Sequence, residues 1–269
     1  MEKWNVLFIG AGRMAEAVIS GIVKKQPEEI GTITAANRSD LERLQFLQDK
    51  YGITVTTDWL RAVKEQQMII LAAPPKAHDS LLKAVRPFLT NQVVVTVAAG
   101  IDPAYMEGRL PEGTPVCWVM PNTAAQVGMS MTTHTYGAHI RPEHKPYIEA
   151  VLEAIGPAEE MSAEQVHHMT AITGSAPAFI YYMAQALEEA AVSYDVTGEQ
   201  ARRLVSTMMQ GAARMLSEGK SPEALMEEVA SPGGSTAEGL HVLETYEVDK
   251  MIRQAVDAVN RHAAQGGKS

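Results

Sequence analysis

Up to about residue 160 the chain alternates short apolar runs with amphipathic stretches of helix length. NVLFIG (5–10) is an apolar run of strand length, and RMAEAVISGIVKK (13–25) after it carries Met14, Ala17, Val18, Gly21 and Ile22 at helical spacing. TITAAN (32–37) predicts a second strand, and DLERLQFLQDKYG (40–52) a second helix closed by Gly52. TVTTD, MIILAA and VVVTVAAG predict further strands, the last two nearly all apolar. Strands apolar on both faces and separated by helices predict a parallel sheet covered on both sides. PVCWVM (115–120) and MSMTTHT (129–135) extend it.

Beyond that point the pattern turns helical. Residues 162–195 read as one long apolar helix in which Pro177, close after Gly174, should impose a kink or a break. Residues 197–219 open on a capping box, Thr197 with Gln200, and stop at Gly219. SPEALMEEVA (221–230) has Pro222 in its first turn, and a last helical stretch begins at Thr236 and runs into a tail, QGGKS, expected to fray. Several of these helices are apolar on more than one face and need partners all round, so a second copy of the chain is expected against them. The fold class is therefore α/β: a Rossmann-type, mostly parallel sheet over residues 1–160, followed by an all-helical dimerisation domain over 161–269 that also binds substrate.

Composition narrows the partners. The 269 residues carry a net charge of −9 with no basic block, which argues against nucleic acid and anionic membrane surfaces. The one cysteine, Cys117, excludes an intramolecular disulfide and, within VCWVM, reads as a buried structural thiol; no metal site is expected. Neither a signal peptide nor a run of about 18 apolar residues is evident, so the expected location is cytoplasmic.

GAGRMA (10–15) lies between the first strand and the first helix and has the form G-x-G-x-x-A. Gly10 permits a tight turn, Gly12 lets the backbone approach a pyrophosphate, and the amides around Ala11, Arg13 and Met14 aim partial positive charge at it. The alternative is tight strand–helix packing alone. The second strand ends in Asn37, Arg38 and Ser39, where an NAD site would usually place Asp or Glu. These donors and their positive charge favour the 2′-phosphate of NADPH, with NADH the weaker cofactor, unless Arg38 is merely a solvated loop charge. The strand ends Ala72-Ala73-Pro74-Pro75, Ala98-Ala99-Gly100 and Pro121-Asn122 have small residues suited to a ribose and nicotinamide crevice, Asn122 adding an amide; alternatively Ala and Pro merely terminate strands.

SPGGST (231–236) poses a separate choice. Two glycines framed by hydroxyls are either a linker or an anion cradle at a helix N-terminus.

Taken in order, GAGRMAEAVISG, NRS, VVVTVAAGI, VMPNTAA, TGSAPAFIYYM and SPGGSTAEGLHVLE resemble the pyrroline-5-carboxylate reductases over residues 5 to 260 or so. The most specific piece is Gly234-x-Thr236-x-x-Gly239-Leu240 followed by Leu243-Glu244. The resemblance implies an NADPH-dependent reduction of a small cyclic imino acid to proline and a homodimer through the C-terminal helices, alone or in a larger assembly of dimers. It implies that the amides of Gly233, Gly234, Ser235 and Thr236 cradle the substrate carboxylate, helped by the hydroxyls of Ser231 and Thr236. Thr236 would donate a hydrogen bond to the imine nitrogen, orienting it and relaying a proton. Ser175 would help form the wall opposite the N-terminal domain, and Glu228 would either face the substrate nitrogen or lie on the surface. His167 and His168 read as helix-surface residues, and Tyr181 and Tyr182 as dimer packing.

Four positions depart from the family pattern. The strand end that commonly reads Val-Lys-Pro is Ala73-Pro74-Pro75, Trp118 replaces a frequent arginine, Ala124 a proline and Ala176 a glycine. The missing lysine implies a weaker hold on cofactor, and the Ala176 methyl a shift in substrate size. Three functions are thus weighed: the proline-forming reductase, a reductase of another cyclic imine or of a 2-oxo acid, and a non-catalytic NADPH-binding regulator. The 2-oxo acid enzyme would want a Lys or His acid, and no lysine occurs between Lys145 and Lys220. The regulator would have no use for a carboxylate cradle.

Overall fold

The structure, a computed structural model, describes residues 2–266. Its strands are β1 (Trp4–Ile9), β2 (Ile30–Ala36), β3 (Thr54–Thr56), β4 (Met68–Leu71), β5 (Val93–Thr96), β6 (Val116–Met120), β7 (Thr132–Tyr136) and β8 (Ala158–Glu160). They make one sheet in the order β3-β2-β1-β4-β5-β6-β7-β8. The first six run parallel; β7 is antiparallel to β6, and β8 follows β7 in parallel. The architecture is thus the mostly parallel α/β sheet the sequence predicts, with the short polar strand β8 added at one edge.

The helices are α1 (Arg13–Lys25), α2 (Leu41–Tyr51), α3 (Trp59–Val63), α4 (His78–Val85), α5 (Pro103–Glu107), α6 (Lys145–Ile155), α7 (Ala163–Met169), α8 (Ala176–Val192), α9 (Gly198–Ser217), α10 (Pro222–Val229), α11 (Ser235–Thr245) and α12 (Val248–Gly266). Alternation along β1 builds both halves of the core. Val6 and Phe8 pack with α1 and α6 through Ile19, Ile22, Ile148 and Ile155, while Leu7 and Ile9 pack with Leu82, Val85, Met106 and Val166. Cys117 is fully buried, and burial pushes its thiol pKa far up, as befits a packing residue.

By compactness the chain divides into one unit running to Ser175 with the segment from Val259 onward, and a second, Ala176–Ala258. The stretch expected as one kinked helix is α7 and α8 joined by a π-helical segment, Thr170–Ser175. Pro177 has no N–H for the carbonyl of Thr173, and Asn122 Nδ2 donates to that carbonyl instead at 2.9 Å. Thr170 and Thr173 hydroxyls bond back to the carbonyls of Val166 and Met169, which further loosens the regular ladder. α9 opens on the expected Thr197–Gln200 capping box, and Gly219 lies just beyond its end at φ +91°. α12 still includes the first two residues of the QGGKS tail; its last three lie outside the described residues.

In the second unit only Ala201 and Val205 are buried among the described residues. Tyr182, Tyr194, Leu204, Met208, Val242 and Tyr246 are all exposed. Helices this apolar with almost no core of their own present a surface built for association.

Helices α1 and α6 meet where Gly21 leaves space: a Cβ there would lie 2.7 Å from Ile155 Cγ2 and 2.8 Å from the Ala154 carbonyl. Gly21→Ala is expected to lower the unfolding free energy by roughly 1–3 kcal/mol in denaturant titration. Unchanged stability would show that the two helices do not meet there.

Candidate active site

The strand order turns back between β1 and β4, and ligands in open parallel sheets lie beyond the carboxyl ends at such a point. Gly10 follows β1 there with φ +111°, and a Cβ on it would sit 2.6 Å from the carbonyl oxygen of Ala72 at the end of β4. Only glycine fits. Gly12 is different: its φ is −73°, and a Cβ would meet nothing within 4 Å. Among the described residues no neighbour requires a glycine at 12, and the space a side chain would take is open.

Gly12 is the N-cap of α1 and offers no side-chain acceptor; the first intrahelical bond runs from Glu16 N to its carbonyl. The amides of Arg13, Met14 and Ala15 therefore have no helical acceptor. They open near a cleft of about 650 Å³ lined by Gly10, Ala11, Gly12, Asn37, Arg38, Ala72, Ala73 and Pro74. Trp59, Ala77, Ser80, Leu81 and Ala84, from segments with no motif in the sequence, complete its walls. Free amides, a missing Cβ and small walls fit the diphosphate of a dinucleotide.

At one end of the cleft Asn37 Oδ1 accepts from the amide of Ser39 at 3.3 Å, which shapes the loop. Arg38 is exposed, and among the described residues no carboxylate lies within ion-pair distance of it. Ser39 is exposed and outside the cleft lining. Asp40, the acid next to this loop, caps α2 by accepting from Arg43 N.

A charged cluster braces the glycine loop from behind. Glu16, in the first turn of α1, bonds Arg43 at 2.5 Å, and Lys50 and the Tyr51 hydroxyl at 2.9 Å. Arg43 Nε also donates to the Ala11 carbonyl at 2.8 Å, tying α2 to the loop. Burial opposes ionisation of Glu16, but the hydrogen bonds from Arg43, Lys50 and Tyr51 outweigh it and bring its pKa down to about 2. Two cations answer this carboxylate, so it does not cancel the positive end of α1.

The other expected residues are placed as follows. Arg13 is exposed and Met14 half-buried at the start of α1, and Pro75 begins a short 3-10 turn before α4. Ala98, Ala99 and Gly100 make the turn after β5, with Gly100 at φ +75°, and do not line the cleft. Pro121 and Asn122 are buried after β6. Asn122, expected to offer its amide near a nicotinamide, donates one N–H to Thr173 O at 2.9 Å, the carbonyl opposite Pro177, and accepts from Ala124 N at 2.8 Å. Ser175 is half-buried at the end of the π-helical segment.

SPGGST is not a loose linker. Gly234 N donates to Ser231 O at 2.9 Å, with Pro232 and Gly233 (φ +72°) between them, the pattern of a type II turn. The Gly234 amide, expected in the cradle, is thus taken by the turn. The amides of Gly233, Ser235, Thr236 and Ala237 have no acceptor among the described residues, the last three because α11 starts at Ser235 and its N-cap, Gly234, has no side chain to satisfy them. The Ser231 and Thr236 side chains are exposed beside them. Glu228, on α10, pairs with Lys220 at 2.5 Å and is exposed. His167 is half-buried and His168 exposed on α7, and Tyr181 and Tyr182 are exposed on α8.

Comparison with known proteins shows what the chain is similar to as a whole. Residues 163–266 match the family described as pyrroline-5-carboxylate reductase dimerisation, and residues 5–100 the one described as NADP oxidoreductase, coenzyme F420-dependent. The chain is 34% identical to pyrroline-5-carboxylate reductase 1 of Bacillus spizizenii, over 99% of this chain and 89% of that one. Among solved structures, pyrroline-5-carboxylate reductase from Coxiella burnetii superposes with a TM-score of 0.86 at 28% identity, covering 98% of both chains. The fold is also that of Plasmodium falciparum pyrroline carboxylate reductase, solved with NADP bound (TM-score 0.89, 23% identity, 99% of both chains).

The brace behind the loop has a pH signature. The folded pKa of Glu16, about 2, lies below its ordinary 4.5, so its stabilisation is complete above the ordinary value and lost as pH falls towards 2. Glu16→Gln is expected to cost roughly 1–2 kcal/mol at neutral pH, a difference from wild type that shrinks in acid. A difference independent of pH would show that the ionised carboxylate is not what holds the brace.

Proposed function

The chain belongs to the pyrroline-5-carboxylate reductase family, and from that membership we infer that it reduces L-1-pyrroline-5-carboxylate to L-proline with NADPH, the last step of proline biosynthesis. The observation that carries the assignment at the level of residues is a contrast among helix starts. Helices α2, α3, α5, α7, α9 and α10 are each capped by a side-chain oxygen, from Asp40, Asp58, Asp102, Ser162, Thr197 and Ser221. Helices α4 and α6 lack a side-chain cap too, but each continues from a residue already in helical conformation, Ala77 and His144. Helices α1 and α11 begin at bare glycines in extended conformation, Gly12 and Gly234, with their amides free. The reaction has two anions to bind: the cofactor diphosphate and the substrate carboxylate.

We assign the Arg13–Ala15 amides to the diphosphate, and Arg38 with Asn37 and Ser39 to the 2′-phosphate, NADH being the poorer cofactor for lack of it. The amides of Ser235, Thr236 and Ala237 take the carboxylate. When bound, NADPH supplies the hydride that adds to the imine carbon. Thr236 donates a hydrogen bond to the ring nitrogen; its hydroxyl is a poor acid, so it orients the ring and relays a proton that comes from solvent. Fixing the carboxylate and the nitrogen leaves the ring little freedom, and most of the rate comes from that positioning. The small strand-end residues Ala98, Ala99 and Gly100 flank the nicotinamide side, and Ser175 the substrate side. Glu228, held by Lys220, has no part in this account. The unit works as a homodimer through its exposed C-terminal helices, alone or as an assembly of dimers, in the cytoplasm.

The direct test follows NADPH oxidation with the five-membered imino acid and a panel of other cyclic imines. Turnover greatest with the five-membered acid is expected; tight NADPH binding without turnover of any imine would favour the regulator. Thr236→Ala should lower kcat roughly 10²-fold with little change in NADPH affinity, and equal losses in both would refute its role. Arg38→Ala should cut the preference for NADPH over NADH by about tenfold. An unchanged ratio would show that Arg38 does not read the phosphate.

A further inference from the structure

Leu71, Thr96 and Trp118 are register neighbours across β4, β5 and β6, near the carboxyl edge of the sheet. A chain of buried polar contacts runs along this edge. His78 Nδ1 lies 3.2 Å from the Pro74 carbonyl, and its Nε2 2.8 Å from Thr96 Oγ1. Thr96 Oγ1 also accepts from the Ala98 amide at 3.1 Å, and the Ala98 carbonyl accepts from Trp118 Nε1 at 2.9 Å. His78, Thr96 and Trp118 are all buried.

The direction of every bond follows from the chemistry of its ends. A carbonyl only accepts, so Nδ1 of His78 carries its proton. Burial lowers the imidazole pKa, so the ring is neutral and Nε2 is bare. The Thr96 hydroxyl therefore donates to Nε2 and keeps a lone pair for the Ala98 amide. Each polar side-chain atom along the edge has a partner.

This chain holds backbone groups of two strand-end turns, the Pro74 carbonyl and both the amide and the carbonyl of Ala98. Pro74 lines the cofactor cleft, and Ala98 begins the turn that ends at Gly100. Apolar side chains would fill the same space without the desolvation penalty of a buried network, whereas satisfied polar networks fix a unique geometry.

We propose that His78, Thr96 and Trp118 are positioning residues that set the turns after β4 and β5 for the nicotinamide half of the cofactor, a role that rests on the NADPH-dependent function inferred above. Thr96→Val keeps the side chain's shape and removes its hydroxyl; Thr96→Ser keeps the hydroxyl. NADPH affinity of the full-length protein is measured by titration without substrate, beside the melting temperature and steady-state kinetics. Thr96→Val is expected to raise both Kd and KM for NADPH about tenfold, with the KM for the imine changed less than about twofold and Thr96→Ser close to wild type. Trp118→Phe, which deletes the donor at the other end, should act in the same direction and carries the test if Thr96→Val does not fold.

NADPH affinity unchanged in the folded variants, or equally weakened in Thr96→Ser and Thr96→Val, would overturn the positioning role. Loss of affinity only in proportion to loss of melting temperature would overturn it as well. Failure of the wild-type protein to bind NADPH would instead remove the functional assignment, and this inference with it.

Discussion

Backbone amides that the fold leaves without acceptors are the constraint on which this structure turns. A helix start buries or exposes several N–H groups, and proteins commonly answer them with Ser, Thr, Asp or Asn. This chain does so at six helices; α4 and α6 run on from residues already helical, and α1 and α11 start at bare, extended glycines. At α1 the choice is reinforced by the sheet. The turn back in strand order puts the helix start at an open edge, Gly10 lets β1 and β4 approach, and Gly12 leaves unfilled the volume a side chain would take. The Arg43 contact to Ala11 O and the Glu16 cluster then hold the loop in the shape that keeps those amides pointing outward.

The second unit obeys a different requirement. With only Ala201 and Val205 buried among its described residues, its apolar helices cannot be explained by a core within one chain. Association supplies the missing burial, as the dimerisation family it matches would suggest. The tight SPGGST turn stands out against this apolar setting. Pro232 and Gly233 order it before any ligand arrives, which lowers the entropy that binding an anion would otherwise cost.

Much of this was legible in the residues because the signals are local. An apolar run followed by G-x-G-x-x-A defines a strand, a turn and a helix within one window, and small residues after apolar runs mark strand ends. What escaped depends on partners distant in sequence. β8 is three exposed residues, Ala-Glu-Glu, with no apolar pattern to betray it. The π-helical segment is completed by Asn122, 51 positions from Thr173, so Pro177 could only be read as a kink or a break. The Glu16 cluster joins residues up to 35 positions apart, and the link from Trp118 to Ala98 spans 20. Within SPGGST, nothing local says which amide a type II turn will take, and the turn takes that of Gly234. The departures at Pro74 and Trp118 have a place in the structure: both belong to the hydrogen-bonded edge beside His78 and Thr96.

The central claim is that two glycine-capped helix starts hold the two anions of the reaction. A crystal structure of the protein with NADP⁺ and L-proline tests it most directly. The account predicts the diphosphate on the amides of Arg13, Met14 and Ala15, and the proline carboxylate on those of Ser235, Thr236 and Ala237. A carboxylate gripped by a side-chain cation elsewhere, with the α11 amides turned to water, would contradict it.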